Sequence, residues 1–296
     1  MVGSPYDGWE PNQHKHSKVV VRSVQVVSIS SLKGGVGKTS VTLGLASAAL
    51  AAGIPTLVVD LDPHADASTG LGVEPNGENG IGHLLKNARR GDITATAVTS
   101  PWTTRAPEVS TRTGPAILDV AVGGAFSGIY DRPDLRLRHL RRLKQLLSRQ
   151  TRYELVLIDC PPSLNGLTRM AWTASNDVLL VAEPSLFSVA GTERTLRALE
   201  LFRSEFVPGL QTAGVVANRV RQSSAEQRFR LEEMRTMFGD ALLSPVLPDQ
   251  ANWQQIQGAA YPVHQWPGDA ARQSAARFDE LLSGLTSGPA RSGTDT

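Results

Sequence analysis

The sequence contains one cysteine, Cys160, among 296 residues, so no disulfide bond can form within the chain. Such a chain suits a reducing compartment, and we expect it in the cytoplasm. No run of about 18 apolar residues is present and the first residues lack an apolar signal core, so no membrane span is expected. The formal net charge is only +2. Any surface that binds a polyanion must therefore be local.

The remaining composition is that of an ordinary globular protein, with 41% hydrophobic and 20% charged residues. Buried-strand patterns alternate with helical patterns over residues 19–286. This alternation predicts one α/β domain, a doubly wound and mostly parallel sheet flanked by helices. Residues 1–18 are predicted to be a disordered arm and residues 287–296 a polar tail.

The individual elements follow from periodicity and turn residues. The predicted strands cover residues 24–29, 55–60, 116–122, 154–159, 177–182, 212–217 and 242–247. The predicted helices cover residues 41–52, 80–88, 135–147, 190–205, 225–237, 252–259 and 269–285. Residues 92–113, rich in Thr, Ser and Pro, are predicted to form a long loop.

The most informative stretch is residues 28–40, which lies between a predicted strand and a predicted helix. Its backbone N–H groups and the helix N-terminus would point at one place and bind an anion there. The glycines let the backbone wrap a phosphate, Lys38 adds a positive charge, and the Thr39 hydroxyl is placed to hold Mg²⁺. The predicted nucleotide contacts are Gly34, Gly35, Val36, Gly37, Lys38, Thr39 and Ser40.

This stretch departs from the general P-loop pattern in an informative way. Leu32 stands where that pattern has glycine, and an additional lysine, Lys33, precedes the glycines. The resulting Lys-Gly-Gly-x-Gly-Lys-Thr resembles the deviant Walker A motif of the ParA/MinD family of P-loop ATPases. The resemblance covers roughly residues 22–265 and is closest to ParA/Soj-type proteins that partition chromosomes or plasmids. It implies ATP and Mg²⁺ as cofactors and a weak ATP hydrolase that a partner protein stimulates.

Two aspartates at strand ends complete the predicted metal site. Asp159 ends an apolar run, which is the Walker B pattern, and the following Pro161 and Pro162 would stiffen the loop that the family calls switch II. Asp60 ends the second predicted strand and is expected to support the metal shell. The predicted metal ligands are therefore Thr39, Asp60 and Asp159, with the carboxylates near Mg²⁺ directly or through water.

The resemblance assigns roles to two further residues. Asp62 matches the aspartate that orients or activates the attacking water, so the predicted catalytic residues are Lys33, Lys38 and Asp62. Lys33 is expected to reach the phosphates bound by a second copy in a sandwich dimer, where it offsets the repulsion between two facing nucleotides. A lysine that is merely solvated is the alternative. His64 and Asp66 replace the usual Gln and Asn of partitioning ATPases, which leaves the subfamily open.

The family also places an asparagine against the adenine ring, and Asn218 occupies the matching position after a predicted strand. Pro248 and Asp249 lie where the family has its adenine loop. A loop-capping role is the alternative for each of these three residues.

Partitioning ATPases of this family bind DNA non-specifically as the ATP dimer, and a ParB-like partner stimulates hydrolysis. The first candidates for DNA contacts, because few acids lie between them, are Arg219, Arg221, Arg228 and Arg230. A charge-laced solvated helix is the alternative, and the basic face of residues 136–144 is interpreted as a solvated helix face. The C-terminal helix lacks the basic and aromatic character of a membrane anchor, so no stable anchor is expected. The alternative function is a positioning or cell-division regulatory ATPase that acts on a protein or membrane-associated track without binding DNA.

Overall fold

A computed structural model describes residues 24–75, 80–105 and 116–286. Within these ranges the strands are β1 Gln25–Ser30, β2 Thr56–Asp60, β3 Val98–Thr99, β4 Leu118–Ala121, β5 Leu155–Asp159, β6 Asp177–Ala182 and β7 Gln211–Ala217. They form one sheet in the order β3-β4-β2-β5-β1-β6-β7. Every neighbouring pair is parallel except β3 with β4, which confirms the predicted sheet. The predicted arm and tail lie outside the described residues.

The helices flank both faces of this sheet. They are α1 Lys38–Ala51, α2 Asp66–Gly70, α3 Ile81–Lys86, α4 Ile93–Thr96, α5 Trp102–Arg105, α6 Leu137–Leu140, α7 Arg142–Leu147, α8 Gly166–Ala174, α9 Leu186–Phe206, α10 Ala225–Phe238, α11 Trp253–Gly258 and α12 Asp269–Thr286. Short 3₁₀ turns cover Ala125–Tyr130, Gly239–Ala241 and Val263–Gln265. Among the described helices, none combines the length and the apolar character that a bilayer span requires.

The apolar runs become central strands because both faces of the sheet are covered. In β5, Val156 and Ile158 pack into one core layer while Leu155 and Leu157 pack into the other, as the alternation of a strand requires. Strands β2, β5 and β6 are buried along their whole length. A two-sided core of this kind explains why these strands are continuously apolar.

The strand order gathers the site residues at one edge of the sheet. Asp159 is in register with Ile29 of β1 on one side and with Asp60 of β2 on the other. The P-loop leaves β1 at this same carboxyl edge. Ligands of open α/β sheets bind beyond the carboxyl ends of the strands, so this edge is the place to look for the site.

Two of the predicted elements are wrong. Residues 92–105 of the predicted loop form α4, β3 and α5, and Asp92 caps α4 by accepting hydrogen bonds from Thr94 N and Ala95 N. Elements this short lack the repeats on which a periodicity argument depends. The predicted strand at 242–247 makes only separate contacts with β7, through Leu243 N and Leu247 N. Pro245 has no N–H with which to continue a ladder between them.

Helical periodicity predicted the longer helices, but it missed one interruption and two helices. The predicted helix at 135–147 is interrupted at Arg141, which separates α6 from α7. The sequence pattern did not predict α2 or α8. Both follow an aspartate at a strand end through a short loop. The five residues of α2 are too few to show a helical period, whereas the nine residues of α8 have an apolar face that the sequence interpretation overlooked.

The contact between α1 and α12 gives a test of the packing. A side chain on Gly44 would overlap the ring of Phe278, which is 4% exposed. Gly44→Ala is expected to lower the free energy of unfolding by about 1–3 kcal/mol, because overpacking forces buried neighbours out of place. The measurement is urea denaturation.

Gly284→Ala on α12 is the matched control, since a Cβ there meets nothing within 4 Å. It should stabilise the protein by up to about 1 kcal/mol through helix propensity. Equal stabilities for the two variants would contradict the packing described here.

Candidate nucleotide site

The P-loop has a backbone shape that only glycine adopts easily. Gly35 and Gly37 have φ values of 76° and 91°, in the left-handed region. A Cβ on Gly37 would also overlap the side-chain amide of Asn218. Gly37 precedes α1, whose first turn has no side-chain cap and no acidic residue. The amide donors of this turn therefore suit a bound phosphate.

A buried carboxylate joins the P-loop helix to the central strand. Asp159, which is 0% exposed, accepts a hydrogen bond from Thr39 Oγ1 at 2.8 Å and another from Thr42 Oγ1 at 2.8 Å. Thr39 is a predicted metal ligand, and the structure places its hydroxyl on the second predicted ligand. Thr42 was not predicted. It lies nearly one helical turn after Thr39, so both hydroxyls face the same carboxylate.

Burial dominates the electrostatics of this edge. It lowers the pKa of the Lys38 ammonium, an effect that the charges of Asp159, Cys160 and Asp62 oppose. It raises the pKa of Asp159, which the hydrogen bonds from Thr42 and Thr39 oppose. Charges that are removed from water in this way interact strongly with any anion that enters.

Asp60 is also completely buried, and its contacts belong to the loop that follows β2. Its Oδ2 accepts from Ser68 N and Ser68 Oγ, both at 2.8 Å, and its Oδ1 accepts from Asp62 N at 3.2 Å. Burial raises its pKa, and the charge of Asp159 adds to the shift. Asp60 thus holds the first turn of α2 through Ser68, and its role as a metal ligand stays a prediction.

The other residues of this loop occupy the turn between β2 and α2. Asp62 Oδ1 accepts a hydrogen bond from His64 N at 3.0 Å, which places the carboxylate at the surface of the turn. His64 is exposed, and Asp66 is the exposed acidic residue in the first turn of α2. The structure therefore groups Asp62 with the site, while the proposed water-orienting role is untested.

Lys33 lies at the rim of the site and contacts its own chain. Its Nζ is 3.4 Å from Glu183 Oε2 and 3.2 Å from Ser185 Oγ, just beyond β6. The two charged side chains are 37% and 25% exposed. A pair this exposed is worth about 0–1 kcal/mol, so it can be exchanged for other contacts. The Lys33 side chain is therefore part-exposed and weakly paired, and its role toward a second copy stays a prediction.

A cleft of about 360 Å³ adjoins the P-loop. Ser40, Asn218, Pro248 and Asp249 all line it, so the residues predicted to contact the nucleoside lie together. Asn218 is buried, and its Nδ2 donates to the carbonyl of Val36 at 2.8 Å. Asn218 therefore braces the P-loop backbone, a role distinct from the predicted contact with adenine.

The four candidate DNA arginines do not form a free basic patch. Arg221 pairs with Asp249, and Arg230 lies 2.8 Å from Glu226 and 2.9 Å from Glu233. The small number of acids between these arginines in the sequence did not reveal the partners of Arg221 and Arg230, which the turn of α10 and the loop at 248–249 bring close. Their role in DNA binding stays a prediction. Arg219 donates to the Gly35 carbonyl at 2.7 Å, and Arg228 donates to the carbonyl of Gln222 at 2.6 Å.

Comparison with known proteins agrees with this geometry. Residues 24–212 match the AAA domain family AAA_31. The chromosome partitioning protein ParA of Caulobacter vibrioides is 30% identical over 244 residues, which are 81% of this chain and 86% of that protein. The chain belongs to the ParA/MinD family of P-loop ATPases.

Solved structures of other proteins share the fold of this ParA/MinD-family chain. Cobyrinic acid a,c-diamide synthase from Mycobacterium smegmatis, with bound ADP and magnesium, has a TM-score of 0.71 at 21% identity and covers 93% of this chain and 100% of its own. The septum site-determining protein MinD from Pyrococcus horikoshii, complexed with Mg-ADP, has a TM-score of 0.67 at 22% identity, with coverages of 92% and 100%. At these identities the likeness concerns the fold alone.

Three further residues contact the candidate site in this chain, although the sequence interpretation did not single them out. Thr42 and Ser68 hold the two buried aspartates, and Gln257 Nε2 donates to Ser40 Oγ at 3.0 Å. A threonine one turn after the P-loop is the only sequence signal that could have indicated Thr42. Ser68 and Gln257 lie eight and 217 residues from their partners, and only the fold brings them close.

The buried bond from Thr42 to Asp159 is testable by substitution. Thr42→Val keeps the shape but removes the donor, and it should lower the free energy of unfolding by about 1–3 kcal/mol because a buried carboxylate loses a partner. Thr42→Ser retains the hydroxyl and should remain within about 1 kcal/mol of the wild type. The measurement is urea denaturation without nucleotide. A Thr42→Val protein as stable as the wild type, together with a destabilised Thr42→Ser protein, would show that methyl packing, not the hydrogen bond, matters here.

Proposed function

We propose that this chain is an ATP-dependent switch for partitioning a chromosome or a plasmid. Binding of Mg-ATP drives formation of a sandwich dimer, the dimer binds DNA non-specifically, and hydrolysis stimulated by a ParB-like partner releases it. The observation that carries the proposal is Lys33, a second lysine at the open rim of the P-loop that its own chain holds only weakly. The similarity to ParA of Caulobacter vibrioides supports the choice of cargo.

The residues present fit ATP and Mg²⁺. The left-handed glycines, the uncapped first turn of α1 and the buried Lys38 form a cradle for phosphates, and the adjoining cleft accepts a nucleoside. Among the described residues, no group of three His, Cys, Asp or Glu side chains could hold a metal alone. Mg²⁺ at nucleotide sites is bound by few protein ligands together with phosphates, so Thr39 and Asp159 would hold it, supported by Asp60. When bound, it neutralises charge on the phosphates.

The chain's own groups then supply position and charge. Lys38 directs a desolvated ammonium at the phosphates, where low water content strengthens its attraction. Asp62 orients the attacking water from the turn after β2. Little free energy opposes the release of Lys33 from Glu183, because an exposed ion pair contributes only about 0–1 kcal/mol. Lys33 is thus available for the phosphates of a second copy.

The surface beside Lys33 supports a dimer contact at this rim. Leu186 and Phe187 begin α9 directly after Ser185, and they are 51% and 77% exposed. Large apolar side chains this exposed gain about 25 cal/mol for each Å² that a contact removes from water. A dimer that meets at this rim would bury them next to the exchangeable lysine.

Lys33→Ala tests the role of the first lysine. The dissociation constant of the variant for ATP should stay within about threefold of the wild-type value. Lys33 is proposed to contact the nucleotide of the second copy, so its loss should change the free energy of binding ATP in its own copy by less than about 1 kcal/mol. Its turnover per molecule should no longer rise with protein concentration, because the dimer does not form. Fluorescent ATP titration and phosphate release measure the two properties. Lys86→Ala, an exposed lysine on α3, is the control and should behave as the wild type.

A Lys33→Ala protein whose turnover still rises with its concentration, at unchanged rates, would contradict the role.

DNA binding is tested with the wild type on random-sequence duplex DNA. A gel shift is expected with a slowly hydrolysed ATP analogue and not with ADP, and it should weaken steeply with salt as phosphate contacts imply. A protein that binds DNA in this way would be cytoplasmic and associated with the nucleoid. A shift that ignores the nucleotide, or no shift in low salt, would contradict the DNA step.

The ion pairs of Arg221 and Arg230 favour one alternative. Arginines engaged with Asp249, Glu226 and Glu233 offer less charge to a polyanion. A positioning or regulatory ATPase with the same nucleotide-gated dimer could act on a protein track instead. Absence of the DNA shift together with nucleotide-dependent dimers would favour this function.

A further inference from the structure

A second basic surface lies on α6 and α7, far along the chain from the arginines considered above. We call it the α6–α7 basic face, and its members are Arg136, Arg138, Arg141 and Lys144. All four side chains are exposed. Within residues 24–75, 80–105 and 116–286, none of them lies within ion-pair distance of an acid.

The arrangement of the two helices separates this face from the core. Arg138, Arg141 and Lys144 are three residues apart, so they follow one side of the helical path. The leucines between them are buried on the opposite side, namely Leu140, Leu143, Leu146 and Leu147. The face therefore presents guanidinium and ammonium groups to solvent without a large exposed apolar side chain among them.

The electrostatic effect of this crowding is visible at His139. Burial lowers the pKa of its imidazole, and the charges of Arg142, Arg138, Arg136 and Arg132 lower it further. Of these arginines, Arg132 alone has an acid within ion-pair distance among the described residues, Asp134 at 3.6 Å. The positive field around α6 is thus left mostly uncompensated.

The long helices α9 and α10 differ in this respect. Arg197 pairs with Glu193, Arg203 with Glu200 and Arg235 with Glu232, each three or four residues away. A phosphate that approaches these arginines must compete with an acid already in place. On the α6–α7 basic face there is no such pair to break, so the same number of cations yields more attraction for a polyanion.

We propose that the α6–α7 basic face binds the phosphates of duplex DNA, and this rests on the proposed DNA track. Guanidinium groups suit this role because they hydrogen-bond phosphate oxygens through two donors at once. A lipid surface fits less well, since an interfacial helix inserts apolar side chains and the leucines here are buried. The binding is Coulombic and independent of base sequence.

The face is attached to the loop that follows Asp159, which supports control by nucleotide. Asp131, just before α6, accepts hydrogen bonds from Ser163 Oγ at 3.1 Å and from Leu167 N at 3.4 Å. Arg169 Nη1 donates to the Pro133 carbonyl at 2.9 Å. A side chain on Gly166 would overlap the carbonyl of Tyr130, so the two segments are in close contact. A change in this loop would therefore reach α6 directly.

The test compares two triple variants that lose the same charge. Arg138→Gln/Arg141→Gln/Lys144→Gln removes three members of the face, whereas Arg197→Gln/Arg203→Gln/Arg235→Gln removes three paired arginines. DNA affinity is measured with a slowly hydrolysed ATP analogue over a range of salt. The first variant should bind at least about tenfold more weakly, and its slope of log K against log salt should fall by about 2–3. The second should bind within about threefold of the wild type.

Nucleotide affinity and thermal unfolding are measured on both variants. Nucleotide affinity should not change, since none of the six side chains lines the cleft. Thermal unfolding should change little, since exposed ion pairs contribute little to stability. The single variant Lys144→Gln provides a milder change, with a slope lower by about 1.

If the first triple variant binds DNA as tightly as the wild type does, this proposal is overturned and the proposed function still stands. Equal losses in the two triple variants would also overturn it, because net charge would then explain the result. A loss of binding to anionic lipid vesicles but not to DNA would overturn it in favour of a membrane surface. If the wild type does not bind DNA with any nucleotide, the proposed DNA track fails together with this inference.

Discussion

The structure depends on a carboxylate that is removed from water and held by two hydroxyls. Asp159 at the end of β5 would be costly to bury alone, and the donors from Thr39 and Thr42 offset that cost. Because both donors belong to the first turns of α1, the helix must begin where it does. The preceding glycine turn then has no freedom to move away from the carboxyl edge of the sheet. One buried interaction therefore positions the phosphate cradle, the predicted metal ligands and the loop after β5.

Around this fixed centre, the contacts at the rim are weak enough to change. Lys33 is held by a part-exposed pair with Glu183, whereas Lys38 is buried beside Asp159. A switch needs this contrast, since the centre must keep its shape while the rim exchanges partners. The loop after Asp159 also contacts the segment before α6 through Asp131. The same loop therefore lies between the nucleotide site and the α6–α7 basic face.

Sequence alone predicted the parts of this protein that depend on local patterns. The apolar runs that end in Asp60 and Asp159 and the spacing of Gly35, Gly37 and Lys38 were enough for the sheet and the P-loop. Contacts between distant segments could not be predicted, because Lys33 and Glu183 are 150 residues apart and only β1–β6 pairing brings them together. The acid partners of Arg230, by contrast, lie four residues before it and three after it, so helical spacing alone could have indicated them. Short elements such as α4 and α5 contain too few residues to show a period.

The bound nucleotide is expected to determine whether the protein is a monomer or a dimer. Light scattering on a sizing column measures this for the purified chain, with Mg²⁺ and either ADP or a slowly hydrolysed ATP analogue. With the analogue we expect the mass of two chains, and with ADP the mass of one, because ADP lacks the terminal phosphate that Lys33 of each copy would bind across the contact. The same mass under both conditions would contradict the account.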